Sequence, residues 1–388
     1  MSNFRGSAWT FNEKRQQFYL HQFAVGQPDL NYRNPEVIEE MKQVLKFWLD
    51  LGVDGFRMDA VGFLVEDDQF RDEPRSFISS DPETYTYLFH IYTYTLAETR
   101  SVLGQFYDFI QTYGDRLCML EVYLPPNMDV AYHKVSDFPF NVGLVMMGKR
   151  LTSALFIDLV IETWMYFLPE GKTPNWVLGN HDYWRIGSRT RPSLRNAFNL
   201  MLLTLPGVAI TYQGEEIGML NGNVSFEQTV DPAGINCGPE HYADFGCSRD
   251  FERTPFHWTA NGKNAGFSEA NKTWLPISDD FITLNVESET QDPSSHLNFY
   301  KKVLSIRNSK EVFSKGALKP IIRGNVLAFS RSVGTKDVIY ITVINFSEKE
   351  ATVDLTGKFA SVVANALVVI STLGNSSHYH PEYVTRPI

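Results

Sequence analysis

Cysteine is scarce in this sequence, with three in 388 residues, at positions 118, 237 and 247. No Cys-x-x-Cys pair or neighbouring His pair accompanies them, which excludes the usual zinc frameworks. Cys118 sits in the apolar run Leu117-Cys-Met-Leu120 and reads as a buried thiol. Cys237 and Cys247 lie ten positions apart in a Gly-rich loop and form a disulfide candidate. Long apolar runs are also lacking; none approaches the ~20 residues that a membrane-spanning helix needs. The opening residues, Met1-Ser-Asn-Phe-Arg-Gly-Ser-Ala-Trp9, have no apolar centre, so no signal peptide is expected there. Clustered basic residues are missing too. Arg185, Arg189, Arg191 and Arg195 are dispersed, and the net charge is −10. That balance excludes a nucleic-acid surface, which needs grouped Lys and Arg.

What is present is ordinary for a soluble globular chain: 43% apolar and 21% charged residues. The length suits one large α/β domain with a smaller one attached. Aromatic residues reach 14%. Such rings build a large core or stack against sugars, and composition leaves both readings open. Four Asn-x-Ser/Thr sequons, at Asn223, Asn271, Asn345 and Asn375, are glycosylation candidates.

Helices and short apolar strands alternate from about residue 34 to 308. Asn34-Pro35 opens a helix whose apolar positions Val37, Met41, Val44, Leu45 and Trp48 recur at helical spacing, and Gly52 ends it. A strand at 53–56 leads into Arg57-Met-Asp59. A helix is expected over about 82–112, then a strand at 117–120 ending at Glu121. Further strands are expected at 138–141, at 175–178 ending in Asn180-His-Asp182, and at 206–211. Helices are expected near 148–167, 193–204 and 295–307, and a polar insertion at 213–290. Beyond about 312, stretches at 326–330, 338–343, 352–355 and 362–370 are β-rich with no helix between them, which predicts an antiparallel module.

Asp59, Glu121 and Asp182 each stand just past the C-terminal end of a different expected strand, 62 and 61 residues apart. A (β/α)8 barrel places its catalytic groups on that face, from several strands. A doubly wound sheet would bind its ligand at one switch point, usually beside a Gly-rich phosphate loop, and none is present. Two carboxyl groups at one barrel mouth suit glycoside hydrolysis with retention, in which one attacks the anomeric carbon and the other exchanges protons. Arg57 lies two residues from Asp59 on an extended segment, so the two share a face. About five strand-helix units are countable where a closed barrel needs eight.

These residues carry a resemblance. Gly52-Val-Asp-Gly-Phe-Arg-Met-Asp-Ala60 is similar to the nucleophile motif of glycoside hydrolase family 13, the α-amylase superfamily. Met119-Leu-Glu-Val-Tyr123 resembles its acid/base segment, and Gly179-Asn-His-Asp182 its transition-state stabiliser segment. Gln27-Pro-Asp-Leu-Asn31 resembles a further motif in its α-glucosidase variant. Tyr212-Gln-Gly-Glu-Glu-Ile-Gly-Met219 and Ser248-Arg-Asp-Phe-Glu-Arg-Thr-Pro255 extend the match, which runs over nearly the whole chain up to about 370. Within the superfamily the likeness is to insect maltases.

The resemblance implies that Asp59 forms a β-glucosyl-enzyme, that Glu121 protonates the glycosidic oxygen and then activates water, and that Asp182 favours the distorted sugar. Arg57 would hold the nucleophile, His181 would touch glucose hydroxyls, and Arg253 would clamp the terminal glucose. Glu215 and Glu216 would shape the barrel rather than take part in chemistry. Ala60 after the nucleophile implies α-1,4 over α-1,6 preference. The expected substrates are maltose, sucrose or short malto-oligosaccharides, in a secreted or extracellular setting. A membrane would be reached only through an anchor outside this sequence.

One family motif, an Asp followed by Asn-His after barrel strand three, has no counterpart, and Phe4-Arg-Gly-Ser-Ala-Trp9 resembles the excursion that follows that strand. The fold expected is therefore a (β/α)8 TIM barrel lacking its first three strand-helix units, followed by a small antiparallel β-sandwich domain. Residues 1–31 would be the remnant of the domain inserted after strand three, 32–311 the partial barrel and 312–388 the β domain. An open sheet of five strands would expose apolar edges, so the polypeptide alone is expected to fold poorly. No cofactor is expected and no metal residue is assigned; calcium is common in the family, but its loops lie in the part without counterpart. Two alternative functions remain, a non-catalytic surface receptor or binding protein of the same family and a sucrose-type transglucosylase.

Overall fold

A computed structural model describes residues 1–148, 153–323, 326–334 and 339–351. They gather into two compact units. One comprises Met1–Asn141, Phe167–Thr173 and Ser225–Asp250; the other comprises Val142–Tyr166, Pro174–Val224 and the chain from Phe251 onward.

The first unit opens on an antiparallel hairpin of β1 (Trp9–Asn12) and β2 (Gln17–Leu20). Helix α1 (Pro35–Asp50) starts where the Asn34 side chain accepts the Glu36 amide and Pro35 fills a position that needs no N–H. Gly52, at φ +90°, stops it. Strands β3 (Gly55–Met58), β4 (Leu117–Leu120) and β5 (Phe138–Pro139) form a parallel sheet with β4 central, and α2 (Ala97–Gln111) carries the chain from β3 to β4. An added Cβ on Gly55 would stand 2.3 Å from the Leu117 carbonyl oxygen, so glycine is what lets these strands close up. Ile38, Leu45 and Leu49 of α1 meet Val102, Leu103, Phe106 and Ile110 of α2 over Cys118 and Leu120.

Two expectations change here. The helix expected over 82–112 forms only at Ala97–Gln111, with a short 3-10 turn at Tyr85–Tyr87 ahead of it. The Glu73 carboxylate accepts from the Ile91 and Tyr92 amides and the Thr93 hydroxyl, which satisfies those groups outside a helix. On α1, Val44 and Trp48 are exposed together with Phe47, as is Leu51 just past its end. The face packed on α2 runs through Ile38, Leu45 and Leu49, so the apolar stripe is wider than the surface that covers it. Strand β3 pairs only with β4 among the described residues.

The stretch Ser225–Asp250 is knitted locally. Asp231 takes two bonds from the Arg249 guanidinium, at 3.0 and 2.6 Å, and Cys237 and Cys247 are disulfide-bonded. Asn236 donates to the Phe4 carbonyl at 2.6 Å and the Arg249 guanidinium lies 4.6 Å over the Phe4 ring, which ties the stretch to the first residues of the chain.

The second unit contains α3 (Ala154–Phe167, its last residue counted with the first unit), the parallel pair β6 (Asn175–Val177) and β7 (Val208–Ile210), the helix between them α4 (Arg195–Thr204), and α5 (His296–Ser309). Strands β8 (Ala317–Arg323), β9 (Val326–Ser332) and β10 (Tyr340–Asn345) follow as an antiparallel sheet with β9 central. Leu327, Phe329, Ile344 and Phe346 share one core with Trp176, Phe198, Met201 and Leu202. Arg331 is fully buried in this unit and donates to the carbonyls of Thr204, Val312, Phe313 and Gly316 at 2.8–3.2 Å. Arg189 is buried as well, donating to the carbonyls of Trp184, Leu144, Val145 and Leu178. The dispersed arginines therefore include core residues that close off carbonyls at strand and helix ends.

Among the described residues no sheet closes on itself; parallel strands number three in the first unit and two in the second. The strands expected at 352–355 and 362–370, and the sequon at Asn375, lie outside the described residues. No described helix is long and apolar enough to cross a membrane.

Candidate active site

In the first unit β3 and β4 end side by side, and the chain beyond them is stapled across. The Glu121 amide donates to the Met58 carbonyl at 2.9 Å, and the Val61 amide donates to the Glu121 carbonyl at 3.0 Å. Between them the Ala60 amide donates to the Glu121 carboxylate at 3.1 Å. Ala60 has left-handed backbone, φ 47° and ψ 36°, a conformation uncommon for a residue with a side chain. A right-handed turn begins at Val61.

Arg57 joins the carboxylates. Its Nη1 lies 2.5 Å from Asp59 Oδ1 and its Nη2 lies 2.8 Å from Glu121 Oε1. The Asp59 side chain is 68% exposed and that of Glu121 only 6%. Oxygens of the two carboxylates come within 4.8 Å of one another. The arginine fork offsets their mutual repulsion, and a cation already between them disfavours a metal ion there. The spacing suits the roughly 5–5.5 Å of a retaining glycosidase better than the roughly 6.5–9.5 Å of an inverting one. One carboxylate open to substrate and one sheltered by protein also fits a division into nucleophile and proton carrier. The Tyr123 hydroxyl stands 3.5 Å from Glu121 Oε1.

In the second unit the chain after β6 folds into a tight turn. The Asn180 side chain accepts the Asp182 amide at 3.0 Å. Arg253 grips this turn twice, through Nε to the His181 carbonyl at 2.5 Å and through Nη2 to Asp182 Oδ1 at 2.5 Å. His181 Nε2 is 3.6 Å from the other Asp182 oxygen. Arg253 thus orients the His181-Asp182 pair, a positioning task that its spacing in the sequence, 71 residues beyond Asp182, does not disclose.

A group that sequence reasoning passed over lies next to it. Glu252 is fully buried, and neither carboxylate oxygen has a hydrogen-bond partner among the described residues. Burial pushes its carboxyl up to about 8, against the pull of Arg253 and Arg185. Arg185 is itself buried, donates to the Gln213 carbonyl at 2.5 Å and stacks 5.0 Å over the Tyr212 ring. The Tyr212 hydroxyl in turn donates to the Glu252 carbonyl at 3.0 Å. Glu215, also pushed up to about 8 by burial, accepts the Tyr212 amide, and Glu216 accepts the Gly214 amide. The last two shape their own turn. The only signal for Glu252 in the sequence was its place beside Arg253.

Residues 1–316 match the family model described as alpha amylase, catalytic domain. The chain belongs to the alpha-amylase family. Its fold is accordingly of the family's TIM-barrel type. This alpha-amylase family chain is similar to an alpha-glucosidase of Apis mellifera, with 40% identity over 354 residues, 91% of this chain and 62% of the bee protein. It is also similar to Maltase A1 of Drosophila melanogaster, with 40% identity over 398 residues, 97% of this chain and 68% of the fly protein. Among solved structures, the alpha-glucosyl transfer enzyme XgtA matches with a TM-score of 0.78 and 29% identity, over 86% of this chain and 64% of that one. The chain thus spans less than two thirds of the bee protein's length.

Of the four sequons, Asn223 and Asn271 are exposed. Asn345 is half-buried and donates to the Lys349 carbonyl.

Proposed function

We propose that this chain carries the active site of an exo-acting retaining α-glucosidase, a maltase-like enzyme that removes terminal α-1,4-linked glucose by double displacement. Asp59 attacks the anomeric carbon and holds the glucosyl group. Glu121 protonates the departing oxygen, then takes a proton from water. Asp182 stabilises the oxocarbenium-like sugar, Arg57 keeps Asp59 ionised, and His181 and Arg253 hold glucose hydroxyls. The observation that carries this reading is Arg57 spanning two carboxylates whose oxygens lie within 4.8 Å, at the ends of adjacent parallel strands. The names of the bee and fly relatives support the reaction and the substrate class.

The same proposal takes the five parallel strands as strands four to eight of a barrel whose first three strand-helix units this sequence does not hold. It takes 1–31 as a remnant of the domain inserted after strand three, 32–311 as the catalytic domain and 312–388 as a β-sandwich. Maltose, sucrose and short malto-oligosaccharides are the proposed substrates, and secretion with glycosylation at the sequons is the proposed setting. The isolated polypeptide is expected to have little activity without the remaining strands.

The test is to follow hydrolysis of an aryl α-glucoside, whose one sugar product is the transferred glucose, by proton NMR in the full-length protein. The first product seen should be α-glucose, as retention requires. First appearance of β-glucose would exclude double displacement, and hydrolysis undiminished by Glu121→Gln would remove Glu121 from its role. Transfer of glucose to another sugar is a second reading, favoured by the likeness to an alpha-glucosyl transfer enzyme. Rearranged disaccharides formed from sucrose in place of free glucose would select it.

A further inference from the structure

We propose that Asn271 is the N-glycan attachment site of the second unit, that its first sugar lies on the Trp274 ring, and that the sequon at Asn345 stays bare. This rests on the secretory setting proposed above. The two sequons carry the same kind of three-residue signal, so only their surroundings separate them.

Asn271 stands at the end of a locally built turn. Asn264, Ala265 and Gly266 have left-handed backbone, at φ 49°, 55° and 72°. Ala265 is buried, and its carbonyl accepts the Trp258 and Thr259 amides at 2.9 and 3.0 Å, which roots the turn in the unit. The Asn264 side chain donates to the Ser268 and Ala270 carbonyls, both at 2.8 Å. Lys263 Nζ donates to the Glu269 carbonyl at 2.7 Å and to Asn271 Oδ1 at 3.1 Å. An ammonium has donors only, so it takes the oxygen end of the Asn271 amide. The Nδ2 end, the atom that carries a glycan, has no partner among the described residues, and Glu269, Ala270, Asn271 and Lys272 are all exposed.

Asn345 is the reverse case. It closes β10, half-buried, beside the core residue Phe346. Its Nδ2 donates to the Lys349 carbonyl at 2.8 Å, and its Oδ1 accepts the Ser347 amide and hydroxyl at 2.9 and 2.8 Å. A glycan on that nitrogen would have to fit into a closed turn against the core.

Trp274 lies three residues beyond Asn271 and is 57% exposed. Leu275 after it is buried, and its carbonyl accepts the Thr273 hydroxyl at 2.6 Å, so the backbone there is fixed while the ring is bare. The apolar face of a sugar ring is suited to cover it. The donor is an oligosaccharide linked to a lipid pyrophosphate. Its bond from the anomeric carbon to the phosphate oxygen breaks, a bond from that carbon to Asn271 Nδ2 forms, the amide loses one proton, and the lipid pyrophosphate leaves.

The test takes the full-length protein expressed in cultured insect cells. Enzymatic removal of glycans in heavy-oxygen water turns each occupied Asn into labelled Asp, and peptide mass spectrometry reads every sequon. The expected result is label at Asn271 and none at Asn345. Label at Asn345, or an unlabelled Asn271 in a protein labelled at another sequon, would overturn the assignment alone. Absence of label from every sequon would overturn the secretory reading with it. Thermal unfolding then tests the ring contact. Trimming the glycans to their first sugar should shift the unaltered protein and Trp274→Ser equally. Removing that sugar as well should lower Tm by about 2 °C more in the unaltered protein than in the variant. Equal shifts on full removal would overturn the contact with Trp274.

Discussion

The Ala60 amide donates to the Glu121 carboxylate at 3.1 Å, from a backbone in the left-handed region. Residue 60 thus acts through its main chain, and it links the segment bearing one carboxylate to the side chain of the other. With Arg57 on both carboxylates, the arrangement holds Glu121 from two sides.

Arg57→Lys is expected to lower kcat/KM for a nitrophenyl α-glucoside by about 100-fold, because an ammonium point charge does not span two carboxylates as a planar fork does. Steady-state hydrolysis measures this. Activity within a factor of two of the unaltered protein would mean that the bridge has no part in the reaction.

Glu252→Gln is expected to flatten the pH dependence of stability. Burial pushes the Glu252 carboxyl up to about 8 in the folded chain, above the ordinary glutamate value of about 4.5. The folded state therefore holds a proton that the unfolded chain releases, so this contribution is complete below about 4.5 and is lost as pH rises through about 8. Urea unfolding at pH 5 and pH 8.5 should show the unaltered protein losing on the order of 2–4 kcal/mol over that interval through this group, and the variant losing that much less. Parallel curves for the two proteins would show that the Glu252 proton is not linked to folding.

Arg331→Lys is expected to destabilise the second unit by about 3 kcal/mol, since one ammonium does not reach four carbonyls arranged around a guanidinium. Chemical denaturation followed by tryptophan fluorescence reads the change. A loss below about 0.5 kcal/mol would place those carbonyls in other hydrogen bonds.

Thiol titration separates the three cysteines. Cys118 is fully buried, with its thiol pushed up to about 12, first by burial and then by Asp137. Native protein at pH 8 should therefore show no reactive thiol, and denatured, unreduced protein should show one. Replacing Cys237 and Cys247 by alanine should cost about 2 kcal/mol, as expected for a short closed loop. Three reactive thiols on unfolding without reductant would contradict the pairing.

Much of the site was legible in the sequence for a local reason. A carboxylate just past an apolar strand stands beyond the last ladder bond, and the register of β3 on β4 then sets Asp59 and Glu121 at neighbouring strand ends. Arg57 reads as a partner of Asp59 by the two-residue period of a strand. Its second bond, to Glu121, depends on the pairing of strands some sixty residues apart in the chain and has no local trace.

Tertiary structure alone decided the rest. Val44 and Trp48 fit the apolar period of α1 as well as Leu45 does, and only the placement of α2 leaves the first two in solvent. Arg189 and Arg331 look like surface charges by type, yet they are buried because unpaired carbonyls around them need donors. Glu73 holds 91–93 out of the helix expected over 82–112. The sequence by itself determined the order of strands and helices, the family, and which carboxylates stand at strand ends, because periodicity and motifs act over a few residues. Packing determined which of those groups meet, which are buried, and which backbone N–H faces Glu121, because each of those depends on residues that are neighbours only in space.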